Sequence, residues 1–167
     1  MITLKSSQEI ELMRRAGKIT AAARALAGEM VKPGVTTQEI NDEVERFIRK
    51  EGAIPSFLNY SGYPGSICIS VNDEVIHGIP GKRVLQDGDI VSVDVGAFIG
   101  GFHGDCAATF ACGTISAEAK KLIDVTKQSF FEGIRFATKG HRVSDISHAI
   151  QTYVEANGFA VVRSFVG

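Results

Sequence analysis

The chain has 167 residues, 44% of them hydrophobic and 22% charged, with a formal net charge of −1. That balance suits one globular domain with a real core and excludes a disordered or fibrous chain. No Lys/Arg stripe marks a nucleic-acid footprint, no apolar run approaches the ~20 residues of a membrane span, and the start "MITLKSSQEIELMRRAG" lacks an apolar signal core. The three cysteines, Cys68, Cys106 and Cys112, are too sparse for a disulfide framework and read as free thiols of a reducing, cytosolic setting.

Ser6-Ser7-Gln8-Glu9 has the form of a capping box, and Ile10, Met13, Ala16, Ile19, Ala23, Leu26 and Met30 follow at helical spacing up to Pro33-Gly34. Thr36-Thr37-Gln38-Glu39 opens a second helix with Ile40, Val44, Phe47 and Ile48 on one face and a stop at Gly52. Strand-like runs come next: "IPSFL", "SICISV", "EVIHG", and a hairpin from about Asp89 to Ala111. Ser116 then caps a helix carrying Leu122, Val125, Ser129, Gly133 and Phe136, ended by Gly140, and Ser144 opens a last helix that stops at Gly158.

The two helix pairs resemble one another. A shift of 106 positions lays Gly34 on Gly140, Ile40 on Ile146, Val44 on Ile150, Phe47 on Tyr153 and Gly52 on Gly158. After two inserted residues Ser56-Phe57 falls on Ser164-Phe165. The first copy continues into strands whereas the second stops at "SFVG", so the repeat predicts a chain that is a fragment.

The hairpin holds the chemistry. With Gly100-Gly101 as a two-residue turn, Ile99 pairs with Phe102, Asp94 with Ala107 and Gly96 with Asp105. Alternation then puts Val91, Val93, Val95, Ala97, Cys106 and Ala108 on a core face. Ser92, Asp94, Gly96, Phe98, His103, Asp105 and Thr109 fall on the other. The two aspartates become diagonal neighbours, ~7–8 Å apart at the backbone. Carboxylates that close need water, a proton or a cation, and a hard divalent ion is suited to such an oxygen pair. From two aspartates alone, a solvated hairpin face is the simpler reading.

The histidines add little by position. His141 and His148 read as surface residues, and His103 as a hairpin-tip residue within reach of a metal. His77, in the Gly/Pro turn "VIHGIPG", is either turn punctuation or a functional loop residue. The loop "NYSGYPGS" with Tyr60 and Tyr63 is either turn chemistry or the wall of an apolar pocket. No phosphate-cradling Gly-rich loop and no G-x-S-x-G is present.

Taken together, "SICISVNDEVIHGIPG" and "LQDGDIVSVDVGAFIGGFHGD" resemble the type I methionine aminopeptidases of bacterial kind, and the resemblance runs through essentially the whole chain. It implies the α/β (α+β) pita-bread fold of two pseudo-symmetric halves. Residues 1–113 would form the first half-repeat and residues 114–167 the helices and first strand start of the second, in a single incomplete catalytic domain. It implies metal-assisted hydrolysis of the bond after an initiator methionine, with two divalent ions (Co, Mn, Fe or Zn). Asp94 would chelate one ion and Asp105 bridge both. His77 would act in catalysis and substrate binding beside the reacting amide. Phe57, Tyr60, Tyr63 and Cys68 would line the pocket for the methionine side chain. Some relatives carry a histidine where this chain has Ser61 and a cysteine where it has Phe57, which bears on pocket shape.

In the family, "SFVG" runs into a His-Gly-Ile-Gly segment whose histidine binds metal, and two glutamate ligands follow. The expectation is therefore a C-terminally truncated chain that is inactive and binds metal weakly or not at all. The implied partners are Met-peptides, nascent chains and the ribosome, in the cytoplasm, with no nucleic acid and no membrane. The intact enzyme would be a monomer, while the fragment would self-associate. An Xaa-Pro-cleaving relative and a noncatalytic binding module are the alternatives.

Overall fold

The computed structural model describes residues 3–164 of the chain. They divide into two compact units, one ending at Ile115 and the other beginning at Ser116. In the first unit, helix α1 (Ser7–Met30) and helix α2 (Thr37–Lys50) both begin with complete capping boxes. The Thr36 hydroxyl accepts from the Glu39 amide at 3.2 Å, and Glu39 Oε2 accepts from the Thr36 amide at 2.7 Å. Those two bonds satisfy donors that the helix start would otherwise leave unpaired.

The sheet is built on its longest strands. Strand β3 (Ile90–Ile99) is central, and β4 (Phe102–Ala111) pairs with it along its whole length, antiparallel. The other edge of β3 is shared end to end by β2 (Ile67–Val71) and by β1 (Ile54–Pro55), also antiparallel. Gly100 and Gly101 have φ of +62° and +88°, the doubly left-handed turn that matches strand twist and that glycine adopts without a Cβ clash.

One face of the sheet carries Val91, Val93, Val95, Ala97, Ile67, Ile69 and Val71, all buried in the core with Ile40, Val44 and Ile48 of α2. Each such side chain contributes ~1.5–3 kcal/mol on leaving water. Helix α1 reaches this face through small residues, with Ala16, Thr20, Ala23 and Ala27 buried. The approach is close. A Cβ on Gly104 of β4 would lie 2.6 Å from the Ala16 carbonyl oxygen, so only glycine fits there.

The second unit is a helical pair, α3 (Ala117–Ile134) and α4 (Val143–Ala156), closed where Gly133 meets Ile146 and Ile150. Shifted by 106 positions, Thr37–Lys50 becomes Val143–Ala156, the bounds of α4. Gly34 and Gly140 share φ near +92° and +97°, and Gly52 and Gly158 share +75° and +87°.

Several expectations need correction. "EVIHG" is not a strand, because positive φ at Asn72 just before it and at His77 within it breaks the extended run. "IPSFL" contributes only Ile54–Pro55 before the chain turns at Ser56. Ile10 and Met13 of α1 are exposed, since the helix presents its small residues to the sheet. Helix α3 ends at Ile134, short of Phe136. Helix α4 starts after Arg142 rather than at Ser144, because Asp145 Oδ2 accepts from the Arg142 amide at 2.8 Å. Phe165, the partner of Phe57 in the repeat, lies outside the described residues with Val166 and Gly167.

Candidate active site

The hairpin register is the one the turn and alternation predict, with Asp94 opposite Ala107 and Gly96 opposite Asp105. Both carboxylates therefore project from the sheet face turned away from the core, on adjacent strands and diagonally. Asp94 is half-buried and Asp105 exposed. Burial first, and the neighbouring Asp105 charge second, push the Asp94 carboxyl up to about 6, while His77 works against the rise. His77, at the loop after β2, thus stands close enough to act on Asp94 electrostatically.

Asp94 Oδ1 is a buried side-chain oxygen with no hydrogen-bond partner among the described residues. An orphaned carboxylate oxygen beside a second carboxylate fits a divalent cation, which would supply the missing partner and remove the repulsion. Among the described residues no cluster of three or more His, Cys, Asp or Glu is arranged to hold a metal ion, so the two carboxylates are what these residues offer it.

Around the pair lie the aromatic and thiol groups. Cys68 of β2 sits directly opposite Asp94 and is buried, which pushes its thiol up. The Phe57 ring covers Gly96, where a Cβ would come within 2.7 Å of it. Tyr63 is half-buried, its hydroxyl 3.1 Å from the Ile67 carbonyl and 2.9 Å from that of Gly78. Burial and then its hydrogen bond with Cys68 raise the phenol well above its ordinary range. Tyr60 lies in a single 3-10 turn, Tyr60–Gly62, and is 74% exposed, further out than Tyr63. The contacts of His103 are to Ser56 and Phe98. Its Nδ1 lies 2.8 Å from Ser56 Oγ, and its ring packs on Phe98.

The structure thus places Asp94, Asp105 and Cys68 on one sheet face, with Tyr63 bonded to Gly78, next to His77, and Phe57 over Gly96. Sequence reading passed over Ser70, whose hydroxyl accepts from the Gly78 amide at 3.0 Å beside His77. Its signal was present, since alternation places Ser70 on the same face as Cys68.

Two carboxylates on one sheet face, with a histidine on the adjacent loop, are compatible with a divalent-ion site. Residues 11–167 match the profile of metallopeptidase family M24. The chain is 53% identical to methionine aminopeptidase 1 of Bacillus subtilis, over 100% of this chain and 67% of the relative. It superposes on the crystal structure of methionine aminopeptidase from Thermotoga maritima with a TM-score of 0.97 at 41% identity, covering 100% of this chain and 68% of that one. On the Xaa-Pro dipeptidase of Bacillus anthracis the TM-score is 0.80 at 26% identity, covering 93% and 42%. The chain belongs to metallopeptidase family M24 and, within it, to the methionine aminopeptidases with their pita-bread fold. It spans about two thirds of the length of the curated relatives it matches.

Proposed function

We propose that this chain supplies the two-carboxylate part of a methionine aminopeptidase site, which removes the initiator methionine from new proteins in the cytoplasm. The observation that carries the reading is the orphaned Asp94 Oδ1 beside Asp105. Asp94 and Asp105 would hold divalent ions (Co, Mn, Fe or Zn), Asp94 one of them and Asp105 both. Such an ion would supply Lewis-acid polarisation of the scissile carbonyl and a lowered pKa for water.

The chain's own groups do the rest. His77 hydrogen-bonds the reacting amide and favours the tetrahedral state. Phe57, Tyr60, Tyr63 and Cys68 receive the methionine side chain and exclude water from it. Substrates are the N-termini of Met-peptides and of nascent chains at the ribosome. Residues 1–113 would form the first half-repeat of the catalytic domain and residues 114–167 the start of the second. Identity of 53% to a methionine aminopeptidase, against 26% to an Xaa-Pro dipeptidase, favours methionine release over Xaa-Pro cleavage.

Two carboxylates do not complete a hydrolytic metal site, so the 167-residue polypeptide by itself does not turn over. Incubation with Met-Gly-Met and Mn2+ or Co2+ is expected to release no methionine. Release by a mass-verified 167-residue chain would refute this.

A further inference from the structure

His77 is one of few residues other than glycine held at positive φ, +57°, a conformation that costs a β-carbon-bearing side chain free energy and persists only where its surroundings impose it. What imposes it is visible one residue on. The Gly78 amide donates to Ser70 Oγ at 3.0 Å, and the Gly78 carbonyl accepts from the Ile69 amide and from the Tyr63 hydroxyl, each at 2.9 Å. A Cβ at Gly78 would lie 2.1 Å from the Ile69 carbonyl oxygen, so the loop lies flat against the outer edge of β2.

The ends of the loop are pinned separately. Asn72 Nδ2 donates to Asp89 Oδ1 at 2.8 Å, and Gly81 exchanges hydrogen bonds with the Thr37 hydroxyl at 2.9 and 3.0 Å. Between those anchors lie Val75, Ile76 and Ile79, all exposed, so packing does not hold the middle. Glu74 is tied back to Val71, whose amide donates to Glu74 Oε2 at 2.8 Å, and the Gly78 clamp is the tie next to His77.

We propose that Ser70, with the Tyr63 hydroxyl, is a positioning residue that sets the backbone of His77 and so aims its imidazole at the Asp94 side of the site. The proposal rests on the reading of His77 as the group that meets substrate. Through Tyr63, which also lines the proposed methionine pocket, the clamp links pocket and imidazole by one hydroxyl. Ser70 touches no reacting atom and acts only through Gly78.

The test is solution NMR of the 167-residue chain without metal, so its outcome is independent of whether Asp94 and Asp105 bind an ion. In the wild type, His77 should show the strong intraresidue amide–Hα NOE of a positive φ, and the Gly78 amide should exchange slowly. Ser70→Ala should weaken that NOE and speed Gly78 exchange at least about tenfold, as expected for loss of a part-buried hydrogen bond. Amides of the β3–β4 pairing should stay as protected as in the wild type. Ser70→Thr, which keeps the hydroxyl, should restore the wild-type signature. An unchanged His77 NOE and Gly78 exchange rate in Ser70→Ala would overturn the proposal. If Ser70→Ala fails to fold, Tyr63→Phe decides by the same two signals, with unchanged signals again overturning it.

Discussion

At the scale of single residues, Asp94 concentrates the conflict of the site. Its carboxyl is half-buried, faces a second carboxylate and leaves one oxygen without a partner. Without metal, the folded chain keeps the Asp94 proton up to a pH of about 6, whereas the unfolded chain releases it near the ordinary value of 3.8. Between those values the folded state binds more protons, so stability falls as pH rises from about 4 to about 6 and stays at the lower level above. Solvent screens part of the effect, which leaves on the order of 1–2 kcal/mol. Urea unfolding of the metal-free chain at pH 4.5 and pH 7 should show this loss, and Asp94→Asn should flatten it. An Asp94→Asn chain with the wild-type pH slope would count against the account.

At the scale of elements, the hairpin was legible because two local rules agree. Gly-Gly demands a two-residue turn, and alternation assigns every side chain to a face, so register followed without tertiary knowledge. Both capping boxes were legible for the same reason, each being a local exchange of hydrogen bonds. The loop carrying His77 was not, since "EVIHG" has strand-like composition while its backbone obeys tertiary contacts from Ser70 and Tyr63. The role of Gly104 was equally hidden, because nothing local says that α1 crosses the sheet there. Gly104→Ala should therefore push Ala16 away and destabilise the fold by ~1–3 kcal/mol, read as a shifted urea midpoint. An unchanged midpoint would mean that α1 does not sit so close.

At the scale of the whole molecule, the internal repeat ties the two units to one plan. Helix α4 repeats the bounds of α2, and the glycines at either end repeat their left-handed φ. The second unit also leaves Phe130, Phe131 and Ile134 about half exposed. Aromatic surface of that kind promotes association, so the chain should bind an apolar dye and sediment as more than a monomer at high concentration. A clean monomer without dye binding would contradict that expectation.

The central claim is that Asp94 and Asp105 together hold a cation, and calorimetric titration of the chain with Mn2+ at pH 7 tests it most directly. The expected result is weak, saturable binding that Asp94→Asn and Asp105→Asn each weaken at least about tenfold, or ~1.4 kcal/mol. Equal Mn2+ affinity in the wild type and both variants would contradict it.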